Sequence, residues 1–146
     1  MGAKLGLQAK LYRNTGTYAV PVWVEVQNAK DVTLNLETGE ADVSTRANNG
    51  WRATLPTLKE ASVEFEMVWD TDDAGFAAIQ TAFFSNAPLE FAVMDGAITQ
   101  TGSQGLRATM GVTKFTREEP LEEAIKAAVT LKPAYAAQAP EWMTVP

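Results

Sequence analysis

Apolar residues recur at every second position through most of this chain. That period of two commits it to β-strands with one buried face and one wet face. Leu5, Leu7, Ala9 and Leu11 open the pattern, and RNTGT at 13–17 closes it as a turn. Val20, Val22, Val24 and Val26 follow, opposed by Trp23 and Glu25. Pro21 stands near the start of that run, where a missing amide is tolerated. Val32, Leu34 and Leu36 oppose Thr33, Asn35 and Glu37. After a long polar stretch containing STRANNGWRATLP (44–56), Val63, Phe65, Met67 and Trp69 oppose Ser62, Glu64 and Glu66.

The period then changes. Phe76, Ile79 and Phe83 share one stripe of a helix about three turns long. Thr71 or Asp72 is the expected N-cap, the neighbouring acids suit the helix dipole, and Asn86 with Pro88 ends the element. Alternation resumes at Leu89, Phe91 and Val93, up to the turn signal Asp95-Gly96. It returns at Leu106, Ala108, Met110 and Val112, with Gly111 a candidate bulge. Residues 121–132 are ambivalent: Glu, Ala and Lys favour helix, whereas Ile125, Ala127, Val129 and Leu131 alternate against Lys126, Ala128, Thr130 and Lys132. The expected fold is mainly β, a β-sandwich or barrel of about seven strands with one short α-helix over an open side. Residues 1–133 form the domain, and 134–146 read as an extended C-terminal arm rich in alanine and proline.

Composition removes most chemistry. The 146 residues contain no cysteine and no histidine, so thiolate ligands, disulfides and the commonest general base are absent. Twelve basic against 18 acidic residues give a net charge of −6, a poor balance for gripping phosphates. No apolar run approaches the roughly 20 residues of a membrane span. MGAKLGLQAKLYR lacks a secretory h-region, and Gly6 stands where a myristoylation signal needs Ser or Thr. The chain reads as soluble, made in the cytoplasm and without a membrane partner. A calcium loop started at Asp70 fails, because Ala74 and Thr81 occupy its fifth and twelfth positions. Asp72 and Asp73 read as helix-capping acids, and Glu118, Glu119, Glu122 and Glu123 as a solvated charge run. No phosphate-binding or nucleophile-elbow motif is present. No enzyme activity, cofactor or metal is expected. Trp51, Tyr135 and Trp142 are different, since their segments are too polar or too proline-rich to have a core of their own. They are candidate anchors for other surfaces.

The string DVTLNLETGEADVSTRANNGWRATLPTLKEASVEFEMVW (31–69), the acidic helix start, FFSNAPLEFAVMDG (83–96) and GLRATMGVTKFTREEPLEEAIKAAVTLKP (105–133) resemble the phage major tail tube protein family, including gene-transfer-agent tail proteins. The likeness spans roughly residues 5–133 and makes 125–131 a strand. It implies a structural subunit of the virion tail: homo-hexameric rings that stack into a hollow tube, with strands of neighbours joined into a channel-lining barrel. It implies contacts with other tail proteins and DNA passing without sequence-specific binding. Residues 39–60 become an inter-ring stacking loop, with Asp42, Ser44, Arg46, Asn48, Asn49, Trp51 and Arg52 as contacts. Tyr135 and Trp142 are candidate arm contacts. Glu25, Glu37, Glu64 and Glu66 are candidate channel lining, where a negative wall repels phosphate. The alternatives are an inner-tube subunit of a contractile injection machine and a monomeric or dimeric β-sandwich binding module.

Overall fold

The structure, a computed structural model, describes residues 2–146. Among them eight strands and one helix follow in the order β1 (Lys10–Asn14), β2 (Trp23–Glu25), β3 (Ala29–Asp42), β4 (Thr54–Val68), α1 (Ala74–Ser85), β5 (Leu89–Met94), β6 (Gln104–Glu118), β7 (Lys126–Pro133) and β8 (Glu141–Thr144). The fold is mainly β with one helix, as the alternation requires. The strands make one antiparallel sheet in the order β2-β1-β5-β6-β7-β4-β3, and β8 pairs with β6.

β6 is the spine of this sheet. Its first half pairs with β5 and its second half with β7, so the sheet bends along it. Leu11 from one wing meets Val63, Phe65 and Met67 from the other in a single core. Phe76 and Ile79 of α1 plug the open side, and the Phe76 ring packs edge-on to Trp69 with centroids 4.8 Å apart. Residues 125–131 are extended, and Ala127, Val129 and Leu131 are all buried.

Several boundaries differ from the sequence pattern. Pairing starts at Lys10, not Leu5, because β5 stops at Met94 and offers no backbone further on. Gly6–Gln8 form a 3-10 turn instead, and Leu7 is 92% exposed. The 20–26 run contributes three paired residues, since Pro21 has no N–H to give. β3 is longer than expected, and Asp31 interrupts it with φ 52° beside a register shift between Lys30 and Thr33. The helix is capped by Asp73, whose carboxylate accepts the Gly75 N–H at 3.2 Å; Asp70 is occupied with the Asp72 N–H. Ala82 takes the buried position on α1 and Phe83 is half-buried. Gly111 pairs regularly with Lys132, and the irregularity falls between Val112 and Lys114.

A polar cluster fixes the β2 wing and the C-terminal strand to this frame. Arg107 forms an ion pair with Glu90, the two side chains being 12% and 10% exposed. Its Nη2 donates to the Tyr18 carbonyl at 2.6 Å, and the guanidinium lies 3.9 Å from the Tyr18 ring centroid. The Tyr18 hydroxyl donates to Glu141 of β8 at 3.1 Å, and Asn14 donates to Glu90 at 2.9 Å. Removing one partner of such a pair strands the other charge. Arg107→Ala is therefore expected to cost about 3–5 kcal/mol, read as a lowered denaturation midpoint; an unchanged midpoint contradicts this role.

Candidate functional site

The stretch 39–60 is a projecting ribbon more than a loop. Residues 39–42 and 54–60 belong to β3 and β4, which pair as far as Asp42 and Thr54. Only 43–53 are irregular. The polar composition concealed the strands, because neither face of the ribbon touches the core. β7 leaves β4 after the Val63–Leu131 pair, so the ribbon runs on as two strands without a third. At about 3.3 Å per residue, the part beyond Pro133 extends roughly 20 Å before the tip.

The tip is built, not slack. The Asp42 carboxylate accepts the Ser44 N–H at 2.9 Å. Hydrogen bonds from the Ser44 hydroxyl and amide hold the Asp42 carboxyl below its ordinary range. The Ser44 hydroxyl accepts the Ala53 N–H at 2.8 Å, closing the base. Thr45 caps a short 3-10 turn at Arg46–Asn48, and Asn49 and Gly50 follow at φ 54° and 84°. Two successive left-handed residues turn the chain sharply; asparagine and glycine are the residues that tolerate this. Trp51 emerges from that turn 76% exposed, beside Arg52 and close in sequence to Arg46. Asp42, Ser44, Arg46, Asn48, Asn49, Trp51 and Arg52 are thus brought together.

The other expected sites are elsewhere. Tyr135 is fully exposed in the segment between β7 and β8. Trp142 is on β8, where its Nε1–H donates to Gln104 at 3.2 Å. Glu25 is on β2, far along the sheet order, and pairs with Lys10 at 3.1 Å.

Glu37, Glu64 and Glu66 do share a surface. Cross-strand register places Glu37, Asn35, Thr33 and Lys30 of β3 opposite Glu60, Ser62, Glu64 and Glu66 of β4, on the side away from the core. The same register carries this face across Ala128 and Thr130 of β7 to Thr116 and Lys114 of β6. Lys126 stands beside Glu118 at one end of it. The four strands β3-β4-β7-β6 therefore form a wall with a polar face backed by the core. That face is mixed in charge: Glu37, Glu60, Glu64, Glu66 and Glu118 are interleaved with Lys30, Lys114, Lys126 and Lys132. Lys126 and Lys132 were legible in the alternation of 126–132, whereas Lys30, Lys114 and Glu60 needed the register to be found.

A model of the phage tail tube protein family matches residues 11–138. The chain belongs to that family. No curated protein sequence matches it. Among solved structures, this tail tube protein is similar to the tail of an empty gene transfer agent particle refined with C6 symmetry. That match has a TM-score of 0.76 at 16% identity, over 97% of this chain and 100% of the other. The SPP1 tail tube aligns with a TM-score of 0.69 at 16% identity, covering 89% and 75% of the two chains. A chain of the anti-feeding prophage baseplate aligns with a TM-score of 0.61 at 10% identity, covering 99% of each. The tail tube fold is shared across these particles at very low identity.

We propose that Trp51, exposed on an ordered tip, is an association group. Trp51→Ala is expected to leave the circular dichroism spectrum and melting temperature of the subunit unchanged. Self-association should weaken by 2 kcal/mol or more, about thirtyfold, in sedimentation or light scattering. Association equal to wild type removes Trp51 from the contact.

Proposed function

We propose that this tail tube protein closes into hexameric rings that stack as a hollow tube and conduct DNA through it. The observation that carries the reading is the wall. Its two outer edges are open: β3 pairs on one side only, and β6 has no β5 partner beyond Met110. Unpaired strand edges of this length are templates for further pairing. Successive wall strands alternate in direction, so β6 of one copy would lie antiparallel to β3 of the next. Head-to-tail closure then continues one antiparallel ladder around a ring.

Six copies of four strands make roughly 24. At about 4.8 Å between strands and a tilt of about 40°, such a barrel is roughly 50 Å across through its backbones, large enough for an aqueous channel. The sixfold number comes from the gene transfer agent tail to which the chain is similar. The polar face would line the channel, since the opposite face is core. Lys30 is matched by Glu66 at 3.9 Å and Lys126 by Glu123 at 3.0 Å. Charges balanced within the wall leave little net attraction for phosphate, which suits transit without retention. The ribbon would reach the next ring. Likeness to the anti-feeding prophage baseplate supports a second reading, the inner tube of a contractile injection machine.

Negative-stain electron microscopy of the concentrated protein is expected to show sixfold rings or hollow tubes. Particles that stay monomeric even when seeded with assembled tail ends would contradict the reading and favour a binding module. Tubes assembled from Glu37→Lys, Glu64→Lys, Glu66→Lys protein around short DNA duplexes should retain DNA, and release it on raising salt. Retention equal to wild type would place those residues outside the channel.

A further inference from the structure

The wall has two unlike ends. At one end projects the ribbon tip, whose irregular residues 43–53 carry Arg46 and Arg52, while the carboxylate at its base, Asp42, is engaged by the Ser44 N–H. Neither arginine has an ionic partner among the described residues. The opposite end is formed where β3 begins, β4 ends, β6 ends and β7 begins. Two turns meet there, joined by the Trp69 N–H donating to the Ile125 carbonyl at 2.8 Å. They carry Asp70, Asp72 and Asp73 on one side, and Glu118, Glu119, Glu122 and Glu123 on the other.

The basic residues nearby are already engaged. Arg117 bridges Glu119 at 3.2 Å, and Lys126 bridges Glu123 at 3.0 Å. The Lys126 ammonium, by hydrogen bond and charge, holds the Glu123 carboxyl below its usual range. Asp70, Asp72, Glu118 and Glu122 remain exposed with no ionic partner among the described residues. At the crest of the second turn Leu121 is 100% exposed, between these glutamates. One end of the molecule therefore presents an indole flanked by arginines, and the other a leucine flanked by carboxylates.

We infer that the ribbon tip docks on the acidic end of a second copy of this chain, with Arg46 and Arg52 against the carboxylates around Asp72 and Glu122 and Trp51 against Leu121. This rests on the stacked-ring reading and names its contact. A basic end meeting an acidic end of an identical subunit is a heterologous contact, and because the two surfaces lie at opposite ends of the wall, repeating it stacks copies along an axis. The same charges set polarity, since tip against tip and rim against rim both repel.

The test is a charge exchange, read as the critical concentration for tube growth by light scattering and as rings against tubes by electron microscopy. Arg46→Glu/Arg52→Glu should raise the critical concentration about tenfold or more, leaving rings and the circular dichroism spectrum intact. Arg46→Gln/Arg52→Gln should show a smaller rise, which guards against a folding defect in the reversed variant. Adding Asp72→Lys/Glu122→Lys to the reversed tip should restore tube growth. Rings that stack normally with the reversed tip, or a fourfold variant that recovers nothing, would overturn the contact and leave the tube reading standing. Wild-type protein that forms neither rings nor tubes would overturn both.

Discussion

Backbone hydrogen bonding at the sheet edges is the constraint on which the rest depends. A folded chain satisfies nearly all its buried amides and carbonyls, and a β-sheet leaves those of its edges to water unless another strand pairs with them. This sheet covers some of its own edge: β8 occupies the first half of β6, opposite β5. The second half of β6 and the long outer side of β3 stay open. They bound a wall whose one face is core and whose other face is polar. Such a wall has two edges free to pair, and its alternating strand directions suit the partner proposed above, another copy of the chain.

The ribbon follows from the same constraint. Two strands without a third have marginal stability alone in water. Here they are continuous with strands anchored in the core, through Val63, Phe65 and Met67, so the cost of ordering the projection is offset at its root. The tip adds local bonds from Asp42, Ser44 and Thr45. An ordered tip loses less entropy on docking than a slack loop of the same length. Stiffness at the root and order at the tip together make Trp51 a positioned group.

Most of the wall was legible in the sequence because its strands have one apolar face. Val63-Phe65-Met67, Leu106-Ala108-Met110 and Ala127-Val129-Leu131 alternate without interruption, and all nine side chains are buried. Where neither face meets a core, alternation loses its meaning. Residues 39–42 and 54–60 looked like loop although they pair, and Leu5-Leu7 looked like strand although they do not. The helix cap moved to Asp73 because three acids in four positions satisfy the same rule, and the hydrogen-bond geometry decides among them. The Arg107 cluster joins residues up to 123 positions apart and leaves no local pattern to read. Aromatic residues on polar segments marked Trp51, whereas the register was needed to collect the mixed charges of the wall. Low identity with a high TM-score in the gene transfer agent tail makes the same point, since the fold persists where most residues do not.

The central claim is that the wall is completed by neighbouring copies. Amide hydrogen exchange, compared between dispersed subunit and assembled protein, tests it directly. The account predicts that the outward amides of β3 near residues 32–38 and those of β6 at 111–118 exchange fast in the subunit and become strongly protected on assembly, with the core strand β7 protected in both. Tubes that form while both edges continue to exchange as in the free subunit would contradict it.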